Sequence, residues 1–302
     1  MPARDGVDAT RVVLDPARWS SPTTVGEALL AAPTLTGVTD ADLAAQCAAG
    51  AVVDESGHPV DLDAPVVRPR SVYLYRDLPD EVEVPFDLPI LYRDERIVVV
   101  DKPHFLATMP RGRHVTQTAL VRLRRELGDD DVAPAHRLDR LTAGVLLFTR
   151  RRADRSAYQR LFADREVRKE YRAAAPLLEP VERSPIRIEN RIEKTSGDLR
   201  ARIVDGPVNA ISDITLTGMR DDGTAEYLLV PHTGRTHQLR LHLSSLGAPI
   251  VGDPLYPEVD DHLASASDRG DYSTPLRLVA SALEFTDPFT GARRRFESDR
   301  PV

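Results

Sequence analysis

His136-Arg137-Leu138-Asp139-Arg140-Leu141-Thr142-Ala143-Gly144, followed at once by Val145-Leu146-Leu147-Phe148-Thr149, is the stretch on which the reading of this chain turns. Its first half has turn character and holds one carboxylate between two arginines. Its second half is an unbroken apolar run of the kind that forms a buried strand. A carboxylate that only solubilises a loop has no need of that company, so Asp139 is the expected catalytic group.

Working outward, residues 90–92 and 97–100 read as a hairpin turning through Arg93-Asp94-Glu95, and the β-branched run ends at Lys102-Pro103. Leu120, Leu123 and Leu127 predict a helix over 116–127, closed by Gly128. A second helix is expected over 152–163, burying Leu161 and Phe162. Extended segments follow at 167–174, 186–192, 200–204, 211–218 and 225–230, the last two joined by a turn at Asp221-Asp222-Gly223. After Gly234-Arg235-Thr236 the stripe Leu239, Leu243, Leu246 predicts a helix, with Thr236 as N-cap and Gly247 as terminator. Strands at 276–285 and 293–296 complete the pattern. Hairpins outnumber βαβ units, so the expected class is α+β, a large mixed and mostly antiparallel sheet flanked by helices.

Upstream, residues 1–20 show no period and are expected to form an irregular arm. Helices are expected over 23–32 and 40–49, then short extended pieces at 51–53, 65–67 and 71–75. A Pro- and acid-rich linker over 77–88 separates this part from the rest. The expected division is an appendage at 1–78, of small α/β type, and a main domain at 79–302. The appendage resembles a degenerate form of the small ribosomal-protein-type RNA-binding domain; a packing or partner-binding role fits it equally.

The charge distribution bears on function. The chain carries a net charge of −7, yet residues 1–100 hold 8 basic against 17 acidic side chains, while residues 136–172 hold 11 basic against 5 acidic. The acidity is local to the N-terminal part, and the Asp139 region is basic. Arginine makes up 37 of the 40 basic residues, which suits phosphate and base edges and equally fits a compositional bias of the genome. Cys47 is the single cysteine, so no intrachain disulfide is possible, and a reducing cytoplasm is the expected setting. No window suggests a membrane span or a signal peptide.

A carboxylate can serve as nucleophile, base or metal ligand. His232, His237 and His242 are spaced five residues apart, unlike a zinc-binding i,i+4 pair. Leu141 occupies the position where an aspartyl-phosphate enzyme needs a second carboxylate. Phosphate-binding, serine-hydrolase and dinucleotide motifs are missing from the sequence. The expectation is a nucleophilic carboxylate that uses no metal and no cofactor. It must stay ionised, which a nearby guanidinium favours, and the surrounding arginines suit a polyanion.

His136-Arg137-Leu138-Asp139-x-x-Thr142-Ala143-Gly144 closely resembles the His-Arg-Leu-Asp-x-x-Thr-Ser-Gly motif of RNA pseudouridine synthases of the RluA type. Lys169-Glu170-Tyr171 is similar to that family's Lys-x-Tyr. The run from Gly234-Arg235-Thr236-His237-Gln238-Leu239-Arg240 to Gly252-Asp253-x-x-Tyr256 matches too, as do Lys102-Pro103 and the strand from Leu278. The resemblance spans residues 85–298. It implies isomerisation of specific uridines to pseudouridine in rRNA or tRNA, by a stand-alone enzyme that is a monomer by default. Asp139 would attack C1′ or the uracil ring. Tyr171 would stack on the base and assist removal of the carbon-5 proton, and Arg235 would pair with Asp139. His136 and Arg137 would handle RNA around a flipped nucleotide, Leu138 and Thr142 would belong to the same substrate-binding loop, and Thr142 and Gly144 would shape its turn. Leu239 would line the uracil pocket or belong to the core. Lys169 and Arg240 would meet phosphate or solvent. The alternative is a catalytically silent RNA-binding or RNA-chaperone protein on the same fold. Three departures stand out: Ala143 replaces the family's usual Ser, Val279 stands where the late strand often has His, and the acidic N-terminal part is unlike a standard RNA-binding appendage, which bears on substrate choice.

Overall fold

A computed structural model describes residues 1, 3–75, 78, 80–178 and 185–302. The chain forms two compact units, Met1–Asp80 and Glu81–Val302. Asp77 and Pro79 of the expected linker lie outside the described residues. No helix among the described residues is long and apolar enough to cross a membrane.

In the first unit, strands β1 (Thr10–Leu14), β2 (Val52–Val53) and β3 (Arg70–Leu74) pair in the order β1-β3-β2, all antiparallel. Helices α1 (Val25–Leu30) and α2 (Asp40–Ala48) begin at capping boxes, Thr24 with Glu27 and Thr39 with Asp42. Val25, Leu29 and Leu43 pack with Leu14, Val72 and Leu74. The strand β1 corrects the expectation of an irregular arm over residues 1–20. Val12 and Leu14 alternate inward along it, but five residues between charged flanks are too few for the period to stand out.

The second unit continues with β4 (Ile90–Arg93), β5 (Ile97–Lys102), α3 (Ala119–Leu127), β6 (Ala133–Pro134), β7 (Ala143–Thr149), α4 (Arg155–Ala163), β8 (Arg168–Ala175), β9 (Ile186–Glu193), β10 (Arg202–Val204), β11 (Ala210–Met219), β12 (Ala225–Pro231), α5 (Gln238–Ser245), α6 (Asp261–Ala266), β13 (Leu278–Thr286) and β14 (Arg293–Glu297). Its sheet runs β10-β9-β11-β12-β8-β13-β7-β5-β4, with β14 added on β13 and β6 on β7. Every pairing is antiparallel except β13 with β7. The structure is α+β with a large mixed, mostly antiparallel sheet.

The apolar runs of β5 and β7 follow from cover on both faces. Val98, Val100, Leu146 and Phe148 pack with Leu120 and Leu123 of α3, whereas Ile97, Val99, Val145 and Leu147 pack with Tyr158 and Leu161 of α4. A third cluster joins Ala173, Tyr227 and Leu229 to Leu239 and Leu243 of α5. Leu141 and Tyr171 touch both the α3 cluster and the α5 cluster. The end of the Asp139 loop therefore lies at the seam between two parts of the core. Gly144, with φ +110°, closes that loop where β7 meets β13, and a Cβ there would collide with the Ala280 backbone.

Helix α5 departs from expectation at both ends. Its N-cap is His237, in the left-handed region at φ 57°, and not Thr236. Leu239 and Leu243 are buried as expected, but Leu246 is exposed.

Candidate active site

The loop that carries Asp139 has its backbone held from outside by the segment following β5. Lys102, fully buried, donates from Nζ to the carbonyls of Pro103 (3.0 Å), Leu106 (2.7 Å) and Arg140 (3.2 Å). Burial draws its pKa down to about 7 against the opposing charge of Asp139, and three carbonyl acceptors match the three N–H bonds of the ammonium form. His104 donates from Nδ1 to the Leu141 carbonyl at 2.7 Å, and burial lowers its pKa to about 4. The Thr108 hydroxyl donates to the Leu138 carbonyl (2.8 Å) and accepts from the Leu138 N–H (3.1 Å). Thr142, buried, closes the turn by donating its N–H to the Asp139 carbonyl at 3.1 Å. Leu138 fills the core, which leaves Asp139 partly exposed and Arg137 exposed.

His136 is committed inside the protein. Its ring stacks on Phe162 at 4.4 Å, and Nε2 accepts the Leu147 N–H at 3.1 Å. That bond requires an unprotonated Nε2, in keeping with a pKa lowered to about 3 by burial and then by Lys169. It braces the loop against β7 and also belongs to the lining of the neighbouring cavity. Lys169 donates to the Thr233 carbonyl at 3.2 Å, and burial lowers its pKa.

Tyr171 stands on β8 opposite Leu229 and Ala280, beside an irregularity in the β8–β13 register at Ala280–Ala282. Such bulges re-aim side chains. Burial first, and then the charge of Asp139, raises the phenol pKa well above the usual tyrosine value. Tyr171 is a neutral phenol at physiological pH.

The opposite wall is the start of α5, and here the expected ion pair needs correcting. Arg235 is exposed; its Nε donates to the Asn209 carbonyl at 3.2 Å and its N–H to Gln238 Oε1 at 3.0 Å. Arg240 takes the place expected for it, with Nη1 4.0 Å from Asp139 Oδ2 and a side chain only 3% exposed. The cause is a second carboxylate. Asp253, whose side chain is fully buried, accepts from Arg240 Nε (2.7 Å) and Nη2 (2.6 Å) in a bidentate fork, and from the N–H groups of Leu255 (2.8 Å) and Tyr256 (3.2 Å). Burial works against the charge of Arg240, but the hydrogen bonds and charge of Asp253, with Asp139 behind them, raise its pKa. Arg240 is thus not a solvated charge.

Gln238, also buried, sets the left-handed entry to α5. Its Oε1 accepts from Thr233 Oγ1 (2.7 Å) and the Arg235 N–H, and its amide donates to the Ile211 carbonyl (3.0 Å) and Ser212 Oγ (2.8 Å). Asp253, Tyr256 and Gln238 all lie in matched stretches of the sequence without a role having been given to them. For Asp253 the signal in the sequence was an acid in the same matched run as Arg240.

Between the walls lies a cavity of about 520 Å³ that Asp139, Tyr171, Leu239, Arg240 and Leu278 help to line. Leu239 belongs both to this lining and to the α5 core. The lining also includes Arg137, Arg165, Lys169 and Arg235, and Asp139 is its one carboxylate among the described residues. A cationic, half-apolar cleft of this kind suits an aromatic base on a phosphate chain. Among the described residues, no three His, Cys, Asp or Glu side chains converge to hold a metal ion.

The family described as RNA pseudouridylate synthase matches residues 96–245. The chain is 33% identical to tRNA pseudouridine synthase C of Pasteurella multocida, over 67% of this chain and 87% of that one. It is 28% identical to the dual-specificity RNA pseudouridine synthase RluA of Haemophilus influenzae, over 70% and 92%. Among solved structures, human RNA pseudouridylate synthase domain containing 1 aligns with a TM-score of 0.53 at 27% identity, over 71% of this chain and 84% of that one. With 33% identity over an aligned stretch that covers 87% of the Pasteurella enzyme, and a fold shared with the human structure, the chain belongs to the RNA pseudouridine synthases of the RluA type.

Proposed function

We propose that Asp139 is the nucleophile with which this enzyme isomerises uridines in structured rRNA or tRNA. The observation that carries the reading is a partly exposed carboxylate set against a buried, doubly held arginine, in a cleft whose other charged lining residues, among those described, are all cations. The target nucleotide leaves its stack and enters the cleft, at a cost of a few kcal/mol that is smallest in a loop. Asp139 attacks C1′ or the ring and the N1–C1′ bond breaks. The base turns, carbon 5 bonds to C1′ and loses its proton, and N1 gains one. No atom is added or removed overall. Arg240 aims the carboxylate and stays in place when its charge is consumed, so no reorganisation is needed during the reaction. Tyr171 packs against the base. Because its phenol is held neutral, the carboxylate released from the sugar or ring is the better acceptor for the carbon-5 proton.

Tritium release from rRNA and tRNA labelled at carbon 5 of uridine tests this. Asp139→Ala should lose at least about a thousandfold in rate, the scale of removing a covalent catalyst. Wild-type release no faster than that of Asp139→Ala would overturn the reading in favour of a silent RNA-binding protein.

A further inference from the structure

His237 is held in an unusual way, and this points to a role beyond the pairing of Asp139 with Arg240. Its backbone is left-handed, a conformation that costs a residue with a Cβ about 1 kcal/mol or more. That geometry turns the ring edge-on to Tyr256, with centroids 5.8 Å apart and planes at 84°. Nδ1 lies 3.2 Å from the Tyr256 hydroxyl. Tyr256 is buried, and its backbone N–H is fixed on Asp253. Its hydroxyl accepts from the Ala201 N–H at 2.8 Å and lies 3.0 Å from the Ala201 carbonyl.

A hydroxyl has a single proton. The Ala201 carbonyl can only accept and is buried with its residue, so the Tyr256 proton goes there. Nδ1 of His237 must then be the donor to the Tyr256 oxygen, which fixes the neutral ring in the tautomer whose Nε2 carries a lone pair. Nε2 has no hydrogen-bond partner among the described residues, and the ring lines the cavity. The other two histidines of that lining differ. His136 directs Nε2 at the Leu147 N–H, and His232 directs Nε2 at the Asp213 carboxylate, 2.6 Å away. Only an acceptor is presented by His237, and among the described residues it is unmet.

We infer that His237 is a specificity-determining residue whose Nε2 accepts a hydrogen bond from the target nucleotide in the cleft. This rests on the reading of the cleft as the uridine site. A uridine inside an RNA chain has two hydrogen-bond donors, the ring N3–H and the ribose 2′-OH, so the partner is one of these. Cytidine lacks the first and a deoxynucleotide lacks the second. An acceptor that cannot switch to donor therefore discriminates against one of those neighbours.

The test uses the full-length protein and C5-tritiated RNA transcripts of rRNA and tRNA. His237→Asn tolerates the left-handed backbone and keeps a donor near Tyr256, but loses the acceptor at the Nε2 position. His237→Gln places an amide oxygen close to that position. The expected result is a loss of about tenfold or more in kcat/KM for His237→Asn, with the wild-type melting temperature and salt-dependent RNA affinity retained, and partial recovery in His237→Gln. Rates for His237→Asn within twofold of wild type, or a His237→Gln variant as slow as His237→Asn, would overturn the inference. Transcripts carrying 2′-deoxyuridine identify the donor. If His237→Asn and wild type become equal on them the partner is the 2′-OH, and if the difference persists it is N3–H. Failure of the underlying reading shows separately, as wild type releasing no tritium at all.

Discussion

The two walls of the cleft are both held by buried polar side chains, but they fix different things. On the Asp139 side, Lys102, His104 and Thr108 reach the backbone of Arg140, Leu141 and Leu138. The path of the chain is set, and the side chains it carries are set only indirectly. On the α5 side, Asp253 grips the guanidinium of Arg240 and Tyr256 meets the ring of His237. There it is the functional head groups that are fixed. The difference suits their tasks. A nucleophile that forms and breaks a bond needs a defined origin with some freedom at its tip, whereas groups that stabilise charge act best without moving.

The contrast can be broken most severely on the α5 side. Arg240→Ala should abolish turnover and also destabilise the fold by about 3–5 kcal/mol, since it strands a buried Asp253 carboxylate. Denaturant midpoint and rate should fall together, and an unchanged midpoint would show the fork to be dispensable for folding. On the other wall, Thr108→Val keeps shape but removes both bonds to Leu138. The expected loss is about 1–3 kcal/mol of stability with a turnover defect smaller than that of Arg240→Ala; an equal defect would erase the distinction between the walls. The smallest effect belongs to Arg235→Ala. Its guanidinium holds one carbonyl and is exposed, so turnover at saturating RNA should stay within a few-fold of wild type. The slope of log affinity against log salt should fall by about one if Arg235 meets a phosphate.

That Asp139 and Tyr171 line one cavity was legible in the sequence, because each lies in a short motif at the end of or within a strand. The sequence misassigned the arginine for a physical reason. Arg235 and Arg240 lie in one matched stretch, and which of them turns inward depends on the left-handed step at His237 and on Asp253, which is 13 residues further along. The apolar stripe held the clue: Arg240 directly follows Leu239, and a charge beside buried leucines needs a buried partner. The sheet was legible from its apolar runs. The strand β1 was not, because two inward residues give no period.

Gly144 shows what the close approach of β7 and β13 demands of the backbone, and the residue before it shows what it demands of side chains. Ala143 stands directly opposite Val279 in the parallel pairing, and both are fully buried in one small cluster with Ala174 and Val302. These are the two positions at which the chain departs from the family pattern of Ser and His. A hydroxyl facing Val279, or an imidazole facing Ala143, would be buried with nothing in this cluster's side chains to bond to. The two small apolar side chains are therefore matched to each other across the strand pair, and a polar group introduced at either position alone would be buried without a side-chain partner in this cluster.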